Sequence, residues 1–172
     1  MPSAAKEPTR VHGEACLSVF HAGNVQVAVW REAPTVARMQ AVWAATRTLN
    51  AVHPERTGFL NLIAAGRPQF SAEVREETAA QSRRGLHRRG VAHVILVPGL
   101  LGVSVRAFLS TAILLGRPVN PTRVFGAVDE AAGWLAPQLV GTTEPPWTAE
   151  AIASLGARCL ASAEELATLP AP

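Results

Sequence analysis

The chain has no tyrosine, only two cysteines and two methionines, and a single lysine, Lys6, among its sixteen basic residues. Each scarcity excludes something. Cys16 and Cys159 stand near opposite ends and share no metal-ligand spacing, so a cysteine zinc site is ruled out. They read as two free thiols in a reducing compartment, with one disulfide left open by arithmetic alone. Aromatic residues make up 5% and charged residues 17% of the chain, with a net charge of +3. That excess is too small to imply nucleic acid, and no aromatics interleave with the arginines to stack bases. The dominance of arginine, with much alanine, reads as the bias of a GC-rich genome. Long uninterrupted apolar runs are also missing. The stretch 91–115 is nearly all apolar, but Pro98, Gly99, Gly102 and Arg106 break it. A membrane span needs roughly 20 apolar residues in a row. Lys6 and Glu7 are followed by no apolar run, so no secretory signal is expected and the cytoplasm is the expected compartment.

What is present is material for a core. Apolar residues reach 48% of 172 residues, a globular composition suited to one domain with a modest extension. Residues 1–14 are polar, carry Pro2 and Pro8, and are expected to be a flexible N-terminus. A domain is expected over 15–139, and a linker with a helical tail over 140–172.

Within the domain, Ala15 to Phe20 and the alternating Val25 to Trp30 read as two strands joined by His21-Ala22-Gly23-Asn24. Thr35 is placed to cap a helix whose apolar residues Val36, Met39, Val42, Trp43, Thr46, Leu49 and Val52 recur at helical spacing. His53-Pro54 ends it. Gly58 to Ala65 is a third strand. Ser71 opens a helix predicted to reach Arg89, and Gly90 stops it. Ala92 to Val97 is a fourth strand with no polar face. Leu101 to Leu115 is a helix apolar nearly all round, which therefore needs a cover: the sheet and tail, or a lipid-like ligand. Thr122 to Phe125 and a helix from Val128 to Pro137 close the domain. The tail predicts a short helix from Thr148 to Leu160 and a second brief turn opened by the capping box Ser162 to Glu165. The order β-β-α-β-α-β-α-β-α implies an α/β fold with a mixed five-stranded sheet.

The closing unit runs Arg-Val-Phe, three residues, then Asp129-Glu130-Ala131-Ala132, one residue, and Trp134-Leu135. With the element order and the buried fourth strand before an apolar helix, it resembles the STAS-like superfamily, and within it the SpoIIAA-like branch of bacterial proteins. The resemblance spans roughly Leu17 to Leu139. It implies a non-enzymatic regulatory or scaffolding module that binds another protein, sometimes a nucleotide or lipid. Anti-sigma-factor antagonists of this superfamily are switched by phosphorylation of a serine at a helix start. Ser71 holds that place here, in the context Gln69-Phe70-Ser71-Ala72-Glu73 rather than Asp-Ser-Ser-Gly.

Candidate chemistry is thin. Ser71 at a helix N-terminus can accept a phosphate, but Glu73, Glu76 and Glu77 oppose it, and a plain N-cap explains the residue. Arg83, Arg84, Arg88 and Arg89, with Arg67, form a candidate partner-binding set; a solvated helix end, favoured by the macrodipole, is the simpler reading. Gly99 to Gly102 sits between strand and helix but lacks the remaining glycine or the Lys-Ser/Thr of a phosphate loop. The five histidines have no ligand spacing, so no metal or other cofactor is expected. No Gly-x-Ser-x-Gly elbow or activated cysteine suggests an enzyme. His93 reads as a satisfied structural histidine. Trp147, after Pro145-Pro146, can dock on its own domain or on a partner, with the first favoured. The expectation is therefore a non-catalytic module acting by protein–protein binding, with a homodimer left open and a carrier of a small apolar or lipid-like ligand as the alternative.

Overall fold

The computed structural model describes residues 6–66, 71–83, 86–116 and 118–168. Six strands form one sheet: β1 (Thr9–Glu14), β2 (Leu17–Ala22), β3 (Val25–Trp30), β4 (Gly58–Ile63), β5 (Gly90–Ile95) and β6 (Thr122–Phe125), side by side in chain order. The first three pair antiparallel; β3 to β6 are parallel. Among the described residues five helices accompany them: α1 (Val36–Val52), α2 (Ala72–Arg83), α3 (Gly99–Gly116), α4 (Val128–Gln138) and α5 (Ala149–Thr168). The chain is thus an α/β protein with a mixed sheet.

Strands added always on the same side, with crossovers of one hand, put their connecting helices on one face. Side chains from α1, α2 and α3 accordingly line a common space with β3 to β6. The opposite face is covered by α4 and α5, which follow the last strand. There Val25, Val27, Val29, Leu60, Leu62, Ala92 and Val94 join Ala131, Ala132, Leu135, Ile152, Leu155 and Cys159 in one buried cluster. The period-two alternation of the strands decides which side chain meets which layer. Close approach is secured by small residues: a side chain at Gly90 would meet Leu135 at 2.9 Å, and one at Gly156 would meet Val128 at 2.8 Å.

Four sequence expectations need correction. The sheet has six strands, not five. The extra one, β1, lies in the stretch expected to be a flexible N-terminus. It is a polar edge strand, exposed at five of its six residues, and charge on such an edge is a device against aggregation that hides it from a hydrophobic pattern search. Arg10 ties it down, donating to Ser162 Oγ at 2.5 Å and lying over the Phe20 ring. Next, α2 ends at Arg83 rather than Arg89, and β5 starts at Gly90. Residues 86–89 are not helical, and their backbone is claimed from outside: Arg88 N–H by Asn120 Oδ1 at 2.8 Å and Arg89 N–H by Thr57 O at 2.8 Å.

The tail forms one 20-residue helix, not two pieces. Its buried residues Ile152, Leu155, Gly156, Cys159 and Ala163 fall on one stripe, so packing carries the helix past Leu160, where the second cap was expected. Thr148 caps it, Oγ1 accepting from Ala151 N–H at 3.1 Å. Finally, the tail does not cover α3. It lies on the other face, and Leu100, Leu101 and Val103 of α3 stay exposed.

Candidate functional site

The two layers are not equally filled. Between the sheet and α1, α2 and α3 lies a cavity of about 310 Å³. Its wall is mainly apolar: Met39, Val42 and Trp43 from α1, Phe59 and Ile63 from β4, Val91 from β5, Leu109 and Ile113 from α3, and Val119. The same face of the sheet carries a row of polar side chains, His21, Gln26, Asn61, His93 and Thr122, one from each of β2 to β6. The last three line the cavity.

Trp30, Asn61 and His93 form a chain with a definite polarity. Asn61 and His93 are register partners on the adjacent strands β4 and β5. Trp30 Nε1 donates to Asn61 Oδ1 at 2.7 Å, and Asn61 Nδ2 lies 2.8 Å from His93 Nδ1. An indole N–H is only a donor, so it fixes the amide with its oxygen toward Trp30. The amide nitrogen then donates, His93 Nδ1 accepts, and the imidazole proton sits on Nε2. Among the described residues Nε2 has no partner, so this donor is left to the cavity. Burial, then the nearby Arg88 charge, pushes His93 down to about 4, so the ring is neutral at physiological pH.

Arg88 is the buried charge of the site, 8% exposed. Its guanidinium donates to Thr46 Oγ1 at 2.5 Å and lies over the rings of Phe59, at 4.4 Å, and Trp43, at 5.2 Å. Burial lowers it to about 9, which leaves it cationic near neutral pH. The backbone on either side is pinned. Asn120 accepts from Arg88 N–H and donates to Leu86 O at 3.0 Å, while Asn50 donates to His87 O at 3.4 Å. Two more polar atoms of the wall, Trp43 Nε1 and Gln81 Oε1, are buried with no partner among the described residues.

The other sequence candidates do not gather here. Arg67 and Arg84 lie outside the described residues, as does the side chain of Arg83. Arg89 is exposed, whereas its neighbour Arg88 is buried. Ser71 is exposed and caps α2, Oγ accepting from Val74 N–H at 3.2 Å. Trp147 belongs to the opposite layer: it is 6% exposed, and Nε1 donates to Asn24 Oδ1 at 2.7 Å. Asn24 in turn donates to Thr142 Oγ1 and to Arg56 O, and Lys6 lies over the Trp147 ring. Gly102 is explained by close approach, since a side chain there would strike Val97 O. Both cysteines are free thiols, and burial pushes Cys159 up to about 12. Among the described residues no three His, Cys, Asp or Glu side chains converge as metal ligands, and no helix is long and apolar enough to cross a membrane.

Sequence reasoning missed Asn61 and the inward turn of Arg88, and read His93 as structural. A signal existed for two of them. Gly-Phe-Leu-Asn-Leu-Ile and Gly-Val-Ala-His-Val-Ile each carry one polar residue at the fourth place of an otherwise apolar strand, and parallel pairing sets them side by side.

Comparison of the chain with family models, with curated proteins and with solved structures gives no match.

Proposed function

We propose that this protein is a non-catalytic module that binds a small, mainly apolar molecule between its sheet and helices α1, α2 and α3. The carrying observation is the difference between the layers: one face of the sheet carries the larger buried apolar cluster, while the other holds a cavity of about 310 Å³ with a few converging polar groups. Ligand pockets are of this kind, about 300–1,000 Å³, apolar with sparse polar anchors. The test is titration of the purified full chain with 1-octanol and octanoate, read by calorimetry and by thermal shift. Saturable one-to-one binding of at least one, blocked by Val91→Trp, supports the reading. No heat and no shift from either ligand would remove it.

A second reading rests on a separate feature. Leu100, 86% exposed, and Val103, 52% exposed, leave the start of α3 uncovered. Exposed apolar groups of this kind favour contact with a second protein, which agrees with a regulatory STAS-like module acting in the cytoplasm. Leu100→Asp with Val103→Asp is then expected to abolish partner capture without lowering stability. Undiminished capture by the double variant would argue against it.

A further inference from the structure

From the Arg88 side chain and the His93 Nε2–H at the wall of one apolar cavity, we infer that the ligand is an organic monoanion, a carboxylate with an aliphatic or aromatic body. This inference rests on the proposed cavity reading and names the ligand's chemistry.

A guanidinium has five N–H donors in a fixed fork and no acceptor. In the described structure one hydroxyl, Thr46 Oγ1, takes one of them. The faces of Phe59 and Trp43 attract the cation but accept no N–H in the plane of the fork. Buried charges are ordinarily paired, because desolvation of a lone ion costs several kcal/mol. No Asp or Glu side chain does the pairing. All thirteen Asp and Glu residues fall within the described part, and none comes within 4.0 Å of the Arg88 nitrogens. Glu32, the acid that also lines the cavity, is mostly exposed and is paired with Arg38 at 3.4 Å. Arg88 is therefore a buried cation with no counter-charge among the described residues, a place a bound anion would fill.

The second donor fixes the class further. The Trp30–Asn61–His93 chain forces the imidazole to present an N–H rather than a lone pair, so it too favours an acceptor. One cation and the neutral donors His93 Nε2–H and Trp43 Nε1–H match one negative charge spread over two oxygens, and outnumber the single unpartnered acceptor of the wall, Gln81 Oε1. A dianionic phosphate monoester calls for more positive charge than the wall supplies. Bidentate pairing of guanidinium with carboxylate is the geometry this arrangement suits best. The rest of the wall, Met39, Ile63, Val91 and Ile113 among it, asks for an apolar body.

The test uses three probes of one length on the unmodified full chain: octanoate, 1-octanol and octylammonium, titrated at pH 7 by calorimetry. Octanoate is expected to bind at least tenfold tighter than 1-octanol, with octylammonium weakest. Arg88→Gln is expected to erase the preference for octanoate over 1-octanol. His93→Phe is expected to weaken octanoate severalfold. Equal affinity for octanoate and 1-octanol, or a preference for octylammonium, would overturn the inference while sparing the cavity reading. Failure of all three to bind would end both. Should Arg88→Gln not fold, as judged by circular dichroism, the ranking of the three probes on the native chain still decides.

Discussion

The two faces of the sheet are built from the same six strands and the same alternation, yet they hold different things. On the α4 and α5 side the strands contribute mainly valine, leucine and alanine, and the polar groups at the margin, Asn24, Thr142 and the Trp147 indole, satisfy one another, with Ser18 Oγ and Arg158 Nε buried without partners among the described residues. On the α1 to α3 side the strands contribute His21, Gln26, Asn61, His93 and Thr122, and several polar atoms, His21 Nε2, Gln26 Oε1, Trp43 Nε1 and Gln81 Oε1, are buried without partners among the described residues. An unsatisfied buried group costs about 1–3 kcal/mol. With four such atoms against two, the first face gives up less stability. The second gives up more, and chains keep such arrangements where binding needs them.

That contrast can be broken most directly by deleting side chains on each face. Leu155→Ala, at a fully buried site under α5, is expected to cost about 3–4 kcal/mol, whereas Met39→Ala, at the cavity wall, is expected to cost about 1 kcal/mol because no new closed void is made. Urea unfolding of both variants checks this; equal losses would mean the faces are energetically alike. A second measurement uses acid. His93 is held at about 4 against an ordinary 6.5. Between those values the unfolded chain takes up a proton that the folded chain refuses, so stability falls as pH drops from about 6.5 to about 4 and levels off below. His21, also lowered by burial, acts in the same direction. His93→Gln should remove about 2–3 kcal/mol of the loss between pH 7 and pH 4 and leave the His21 part. Identical acid profiles for the two proteins would show that His93 titrates freely. The smallest effect is the most local. Val91 and Ala92 are neighbours on opposite faces. Ala92→Ile is expected to cost about 1–3 kcal/mol by overpacking, while Val91→Ile should change stability by less than about 1 kcal/mol. The reverse ranking would place the spare volume on the wrong side.

Much of this architecture was readable in the residues. Thr35 and His53-Pro54 bracket α1 at the bounds it adopts, since a cap and a proline act locally. Strands β2 to β6 announce themselves by alternation or by short apolar runs between turn residues. What escaped was set by tertiary contacts. β1 is polar and is a strand only because β2 pairs with it. The α5 helix runs through Ser162 because its stripe has a sheet to lie on. Arg88 looked like the basic end of a helix, and nothing local says that Asn120 and Thr57 take the backbone N–H groups of Arg88 and Arg89 and that the Arg88 side chain is buried. Of the cavity, the composition of α3 gave the hint, an apolar helix in want of cover, but the face on which that cover fails depends on where the tail settles.

The position of α5 in the chain has a consequence for how the molecule is made. All six strands leave the ribosome before the helix that shields their most apolar side. At about 5–20 residues per second that side stays bare for seconds in the nascent chain. Slow translation, or a missense change that delays the seating of Trp147 against Asn24, will therefore be felt first as aggregation during synthesis, in a protein whose finished form keeps that same surface wholly out of reach.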